Sequence, residues 1–188
     1  MARKRDIVVK LVKTPEFPDG EGRVPVKTKV ATKKGCYLEK KPTQFVVIPL
    51  NIIIPSSAMS IVKYGRIPEI MEHRWFMYCD KTTIRYFRSW TGICIYIARY
   101  KDDGQNCKIT SLKVNRDPEQ YCETNNKRDV ALFLTLLFDE FGNDTFDSWG
   151  LAEEIVKMDG SLSLTNQNHR NNDERQECGV NDCGKAEG

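Results

Sequence analysis

Between residues 73 and 115 the apolar positions fall into four short runs separated by turn residues. HRWFMYCD (73–80), IRYFRS (84–89), ICIYIARY (93–100) and CKITSLKV (107–114) are rich in aromatic and β-branched side chains, and each predicts a strand. Asp80 to Thr83, Trp90-Thr91-Gly92 and Lys101 to Gly104 supply the turns. Links this short leave no room for crossover helices, so the four strands form an antiparallel meander. Further along the chain the period lengthens. Asp117-Pro118 predicts the start of a short helix over PEQYCET, with Pro at its first position. Asn125 or Asn126 caps a longer helix. In it Val130, Phe133, Leu134, Leu137, Phe138 and Phe141 form one apolar face, and Gly142 is the stop. DSWGLAEEIVKM (147–158) predicts a last short helix.

The earlier part of the chain is less regular. DIVVKLVK (6–13) alternates like a strand, and the following Pro-, Gly- and charge-rich stretch reads as loop. QFVVIPLNIII (44–54) is an apolar strand interrupted at Pro49. PSSAMSIVKYG (55–65) predicts a short helix capped by Ser56 or Ser57 and stopped at Gly65. The fold class expected is α+β: an antiparallel β-meander with helices packed on one face. The expected organisation is a basic, partly extended N-terminal segment over 1–43, a core domain over 44–158, and a polar tail over 159–188. That tail is too poor in apolar residues to offset its ordering entropy, which predicts disorder.

Charge sharpens this division. Residues 1–41 carry twelve Lys/Arg against five Asp/Glu, whereas 142–188 carry four against ten. The two ends therefore meet solvent, each other or different partners. No apolar run approaches the roughly 20 residues of a membrane span. The first residues lack the apolar stretch and cleavage site of a secretory signal. The expected location is the cytoplasm, with no membrane partner. Seven cysteines with no C-x-x-C pair fit reduced thiols there. Cys79, Cys94 and Cys107 lie in or beside strand patterns as small apolar residues. Cys178, Cys183 and His169 make only an incomplete ligand set, so neither metal nor cofactor is expected.

Signatures of catalysis are sparse. The sequence has no glycine-rich phosphate loop, no G-x-S-x-G and no H-E-x-x-H. His73 is the one histidine in the predicted core domain, and no spacing pairs it with a nucleophile and an acid. Asp80 and Asp117 have turn and cap roles. Binding chemistry is better represented. Arg74, Lys81, Arg85, Arg88 and Arg99 are interleaved with Trp75, Tyr78, Tyr86, Trp90, Tyr96 and Tyr100. Alternation puts Arg85, Phe87 and Ser89 on one face of their strand and Ile84, Tyr86 and Arg88 on the other. One of these faces must meet the helix that carries Phe133 and Leu137.

Guanidinium groups match phosphate or carboxylate, an indole stacks on a base, and hydroxyls with a Gly N–H complete an anion pocket. The candidate ligand site is therefore Arg85, Arg88, Ser89, Trp90 and Thr91, flanked by Arg74, His73 and Arg116. Arg116 joins the set because it precedes a predicted helix N-terminus, which attracts anions. Trp75 and Trp90 also suit core positions, and that alternative stays open.

W-F-x-Y (75–78), R-S-W-T-G-x-C-I-Y (88–96), N-R-D-P-E-Q-Y (115–121) and the apolar helix after them are similar to an uncharacterised bacterial and phage protein family. The similarity covers about residues 64–141. In that family a His often precedes R-S-W-T-G. Phe87 stands there in this chain, which removes an acid or base role from the position and leaves packing or stacking. Some members are associated with ADP-ribose- or NAD-linked proteins, so the resemblance implies a nucleotide-type ligand.

The leading expectation is non-enzymatic sequestration of an anionic nucleotide-derived small molecule. An ADP-ribose-type or cyclic-nucleotide immune signal would fit, with the protein acting in phage anti-defence as a homo-oligomer with ligand between chains. One alternative is a hydrolase or transferase on NAD or ADP-ribose. Another, ranked lower, is a nucleic-acid or protein-interaction module using the basic N-terminus.

Overall fold

In the computed structural model, residues 7–8, 29–35, 39–140 and 147–158 are described. Their strands form one six-stranded sheet in the order β1-β2-β6-β5-β4-β3. These are β1 (Ile7–Val8), β2 (Phe45–Pro55), β3 (Trp75–Cys79), β4 (Thr83–Arg88), β5 (Cys94–Asp102) and β6 (Asn106–Asn115). The expected meander is β3 to β6, antiparallel throughout. β2 extends it by pairing antiparallel with β6, and β1 adds to β2 in parallel. Pro49 does not end β2. Its missing N–H is absorbed by a register shift between Pro49 and Ile52, and the strand continues.

Three helices lie on one side: α1 (Ser56–Val62), α2 (Asn126–Asp139) and α3 (Ser148–Met158). One apolar cluster joins Met59 and Val62 of α1, Phe133 and Leu137 of α2 and Ile155 of α3 to alternate strand residues, among them Ile52, Met77, Ile84, Tyr96 and Ile109. The α2 ring of Phe133 meets Tyr86 edge-on at 6.0 Å and Tyr96 at 6.3 Å. Each fully buried large side chain contributes about 1.5–3 kcal/mol by transfer alone. Phe141, Gly142 and the tail 159–188 lie outside the described residues, as do most of 1–43 and Cys36, Cys178, Cys183 and His169. Among the described residues no helix is long and apolar enough to cross a membrane.

Two local expectations are corrected. Residues 118–124 do not form a helix: Pro118 to Gln120 make a turn, with Gln120 and Tyr121 N–H donating to the Asp117 carbonyl. The competing bonds explain it. Asp117 accepts from its near neighbour Glu119 N–H, and the Glu123 carboxylate takes the N–H groups of Thr124 and Asn125. The cap role belongs to Asn125, which accepts from Lys127 and Arg128 N–H at the start of α2. At α1 neither serine caps. Pro55 holds that position, and the Ser56 hydroxyl donates to Asp102 instead at 2.8 Å.

The reverse side of the sheet is partly covered near β3. Ala31, Phe76, Tyr78, Phe87 and Cys94 form a second small cluster there, with Ile97 packed against it. The Ala31 N–H donates to the Tyr64 carbonyl, and Gly65 passes so close that a Cβ would strike the Met77 carbonyl. Arg66 closes the β3 edge by exchanging both backbone bonds with Met77.

Candidate functional site: a turn platform and a basic sheet face

The β4–β5 turn is held on two sides. Gly92 takes φ +65°, and its N–H donates to the Arg88 carbonyl. On one side the Gly92 carbonyl accepts from Lys40 N–H, and Cys94 N–H donates to the Lys40 carbonyl. On the other side Ser89 N–H donates to the Arg74 carbonyl, and its hydroxyl to the His73 carbonyl at 2.7 Å. The Trp90 indole N–H reaches the Met71 carbonyl at 3.2 Å. Trp90 therefore has a fixed direction although it is 57% exposed. His73 and Arg74 are exposed beside it. The imidazole Nδ1 of His73 accepts from Glu69 N–H, leaving Nε2 outward. Thr91 Oγ1 accepts weakly from Ile93 N–H at 3.4 Å and so shapes the turn.

The predicted arginines go to different places. Arg88 lies on the helix side, with its guanidinium 4.3 Å from the Trp75 ring centre. Trp75 stacks on Tyr96 at 5.9 Å and belongs to the core. The Tyr96 hydroxyl donates to Asp129, which also receives Tyr121 and, at 2.6 Å, Arg116. Burial raises the Asp129 carboxyl above its ordinary value, against the opposing pull of the Tyr121 and Arg116 bonds. Arg116 adds bonds to Asn126 and to the carbonyls of Asn115 and Glu123. Its charge is thus used to fasten the start of α2 to the end of β6. Arg85 sits on the reverse side, 3.5 Å from Asp80 and bonded to Thr83. The structure gathers His73, Arg74, Arg88, Ser89, Trp90 and Thr91 at one end of the sheet; Arg116 follows β6 at that same end but is engaged by Asp129, and Arg85 lies within β4 on the reverse side.

Register reveals a second surface. On the side away from the helices, cross-strand neighbours run Arg85, Ile97, Lys113, Val47 in one row. The next row is Thr83, Arg99, Ser111, Pro49, and the third is Lys101, Lys108, Ile53. Five cations occupy these rows. The reverse-facing positions of β2 to β6 hold no Asp or Glu among the described residues; Asp80, in the β3–β4 turn, borders Arg85 at the edge. Arg99 and Lys101 are exposed, and Lys113 Nζ lies 3.6 Å from the Phe45 ring centre. Lys101, Lys108 and Lys113 were not among the predicted site residues, and Arg99 was noted only as part of a pattern. The signal was the alternation I-x-R-x-K over 97–101, which two bulges then help to display: one between Tyr86 and Phe87, one between Arg99 and Tyr100.

Among nucleophile candidates, burial pushes the thiols of Cys79 and Cys107 up to about 12, so both stay protonated at neutral pH. Among the described residues no cluster of His, Cys, Asp and Glu is arranged to hold a metal ion. The chain matches no family model, no curated protein and no solved structure. The functional reading therefore rests on the residues themselves.

Proposed function

We propose that the protein is a non-catalytic binder of phosphate-bearing, nucleotide-type anions, and that the sheet face opposite α1, α2 and α3 does the binding. The carrying observation is the three rows that set Arg85, Lys113, Arg99, Lys101 and Lys108 on one side of adjacent strands with no Asp or Glu in the rows; Asp80, at the edge, pairs with Arg85 alone. Such a field attracts phosphate, and Ser111 stands in the middle row with a hydroxyl. Binding is favoured over turnover because the buried Cys79 and Cys107 thiols are held protonated.

A second reading keeps the small-ligand site expected from sequence. It is favoured by the pinned, exposed Trp90 with Arg74 and His73 beside it, a surface on which a base can stack. In that reading an ADP-ribose-type or cyclic-nucleotide signal is sequestered at the turn, in the anti-defence role expected above.

Calorimetric titration with ADP separates the two. The first reading predicts that Arg99→Ala with Lys101→Ala weakens ADP at least fivefold, that Trp90→Ala leaves it unchanged, and that ADP is recovered intact after denaturation. The reverse pattern of mutant effects moves the site to the turn. Recovery of AMP and phosphate makes the protein an enzyme and overturns both readings.

A further inference from the structure

We infer that the occupant of the face opposite α1, α2 and α3 is a single-stranded nucleic acid, with its phosphates on β4 to β6 and its bases on β2. This rests on the reading of that face as an anion surface and specifies its ligand.

Charge and apolar area are divided between two bands of the face. Successive rows lie two residues apart along each strand, or about 7 Å. The cations therefore extend over about 13 Å along the strands. One phosphate does not need so long a track; a chain of phosphates uses all of it. The column next to it is different in kind. β2 presents Val47, Pro49 and Ile53 in the same rows and Phe45 beyond the first of them, and Phe45 and Val47 are each 49% exposed. Those two are large apolar side chains in water, beside the lysine of β6. The two bands meet where Lys113 lies over the Phe45 ring.

A duplex offers such a face only its phosphates, because its bases are stacked inside. It would leave the apolar column unmatched. An unpaired strand offers both parts, a charged backbone for the basic band and unstacked bases for the apolar one. Base contact through Phe45 and Val47 is tolerant of sequence, since every base has a face to stack or pack. Cation contact carries most of the affinity and makes it depend on salt.

The test is fluorescence anisotropy with labelled decathymidylate, beside a ten-base-pair duplex carrying the same label. The expected result is single-strand binding at least tenfold tighter than duplex binding, and tighter than ADP by a similar factor. Affinity should fall steeply between 50 and 200 mM salt. Arg99→Ala with Lys101→Ala should weaken decathymidylate at least tenfold and reduce the salt slope by about 1.4, the share of two phosphate contacts on a single strand. Phe45→Ala with Val47→Ser, both at exposed positions, should weaken it severalfold and leave the slope unchanged. Equal binding of duplex overturns the inference, as does an unchanged slope in the cation variant or an unchanged affinity in the Phe45/Val47 variant. If ADP binding depends on Arg99 and Lys101 but decathymidylate binds no tighter than ADP, this inference falls and the anion-binding reading stands. If neither ligand depends on Arg99 and Lys101, the reading itself falls.

Discussion

The same five strands, β2 to β6, present two unlike faces. Toward the helices, alternate residues are Tyr86, Tyr96, Met77, Ile84 and Ile109, all fully buried, and the buried charge of Asp129 on α2 is matched by Arg116 within hydrogen-bonding distance. Away from the helices, the intervening residues are Arg85, Arg99, Lys101, Lys108 and Lys113. Lys101 and Lys108 stand directly opposite each other, an arrangement that destabilises a sheet. One face is arranged for stability. The other leaves cations at the surface, with Arg99 and Lys101 exposed. Arg88 and Trp90 illustrate the division within one turn: the first is stacked on a core tryptophan, the second is held outward by a single indole bond.

The contrast is broken most severely from the helix side. Phe133→Ala removes a ring that contacts Tyr86 and Tyr96, and it should cost about 3–5 kcal/mol in urea unfolding. Arg99→Ala on the reverse face should stay within about 0.5 kcal/mol. Comparable losses at the two positions would erase the distinction. Lys101→Glu sharpens it. It turns a like-charge pair into an opposite-charge one, so stability should rise by about 0.2–1 kcal/mol while nucleotide-anion binding weakens. A parallel change in the two quantities would contradict the division of roles.

The smallest effect concerns acid. Hydrogen bonds from Lys63 and Ser56 hold Asp102 down at about 2, and bonds from Lys127 and Lys157 do the same for Glu153. A folded value below the unfolded one contributes stability above about pH 4 that fades as pH falls toward 2. Asp102→Asn with Glu153→Gln should therefore show a shallower loss of stability between pH 5 and 2 than the natural chain, by the same urea assay. Both carboxylates tie helices on the covered side: α1 to the β5–β6 turn, and α3 to α2.

Much of the covered side was legible. The meander follows from turn residues and alternation, and α2 from its apolar spacing and its Asn125 cap. What failed was local and had local causes. The 118–124 segment has a helical start, but its Asp and Glu side chains satisfy nearby N–H groups in a turn instead. The position of β2 beside β6 is a long-range pairing that no local pattern encodes. The site was legible in residue type and not in arrangement. The R-S-W-T-G stretch drew attention to Arg88 and Trp90, while the partner of Arg116 is Asp129, thirteen residues away on a helix. The basic face emerges only once β5 and β6 are placed in register, because its rows draw one or two cations from each strand.

The most direct test maps decathymidylate onto the ¹⁵N-labelled protein by backbone chemical-shift changes. The account predicts the largest changes at Arg85, residues 97–101 and 108–113, and Val47, with little change at 71–74 and 88–92. Changes concentrated at 71–74 and 88–92, with the β5 and β6 positions silent, would contradict it.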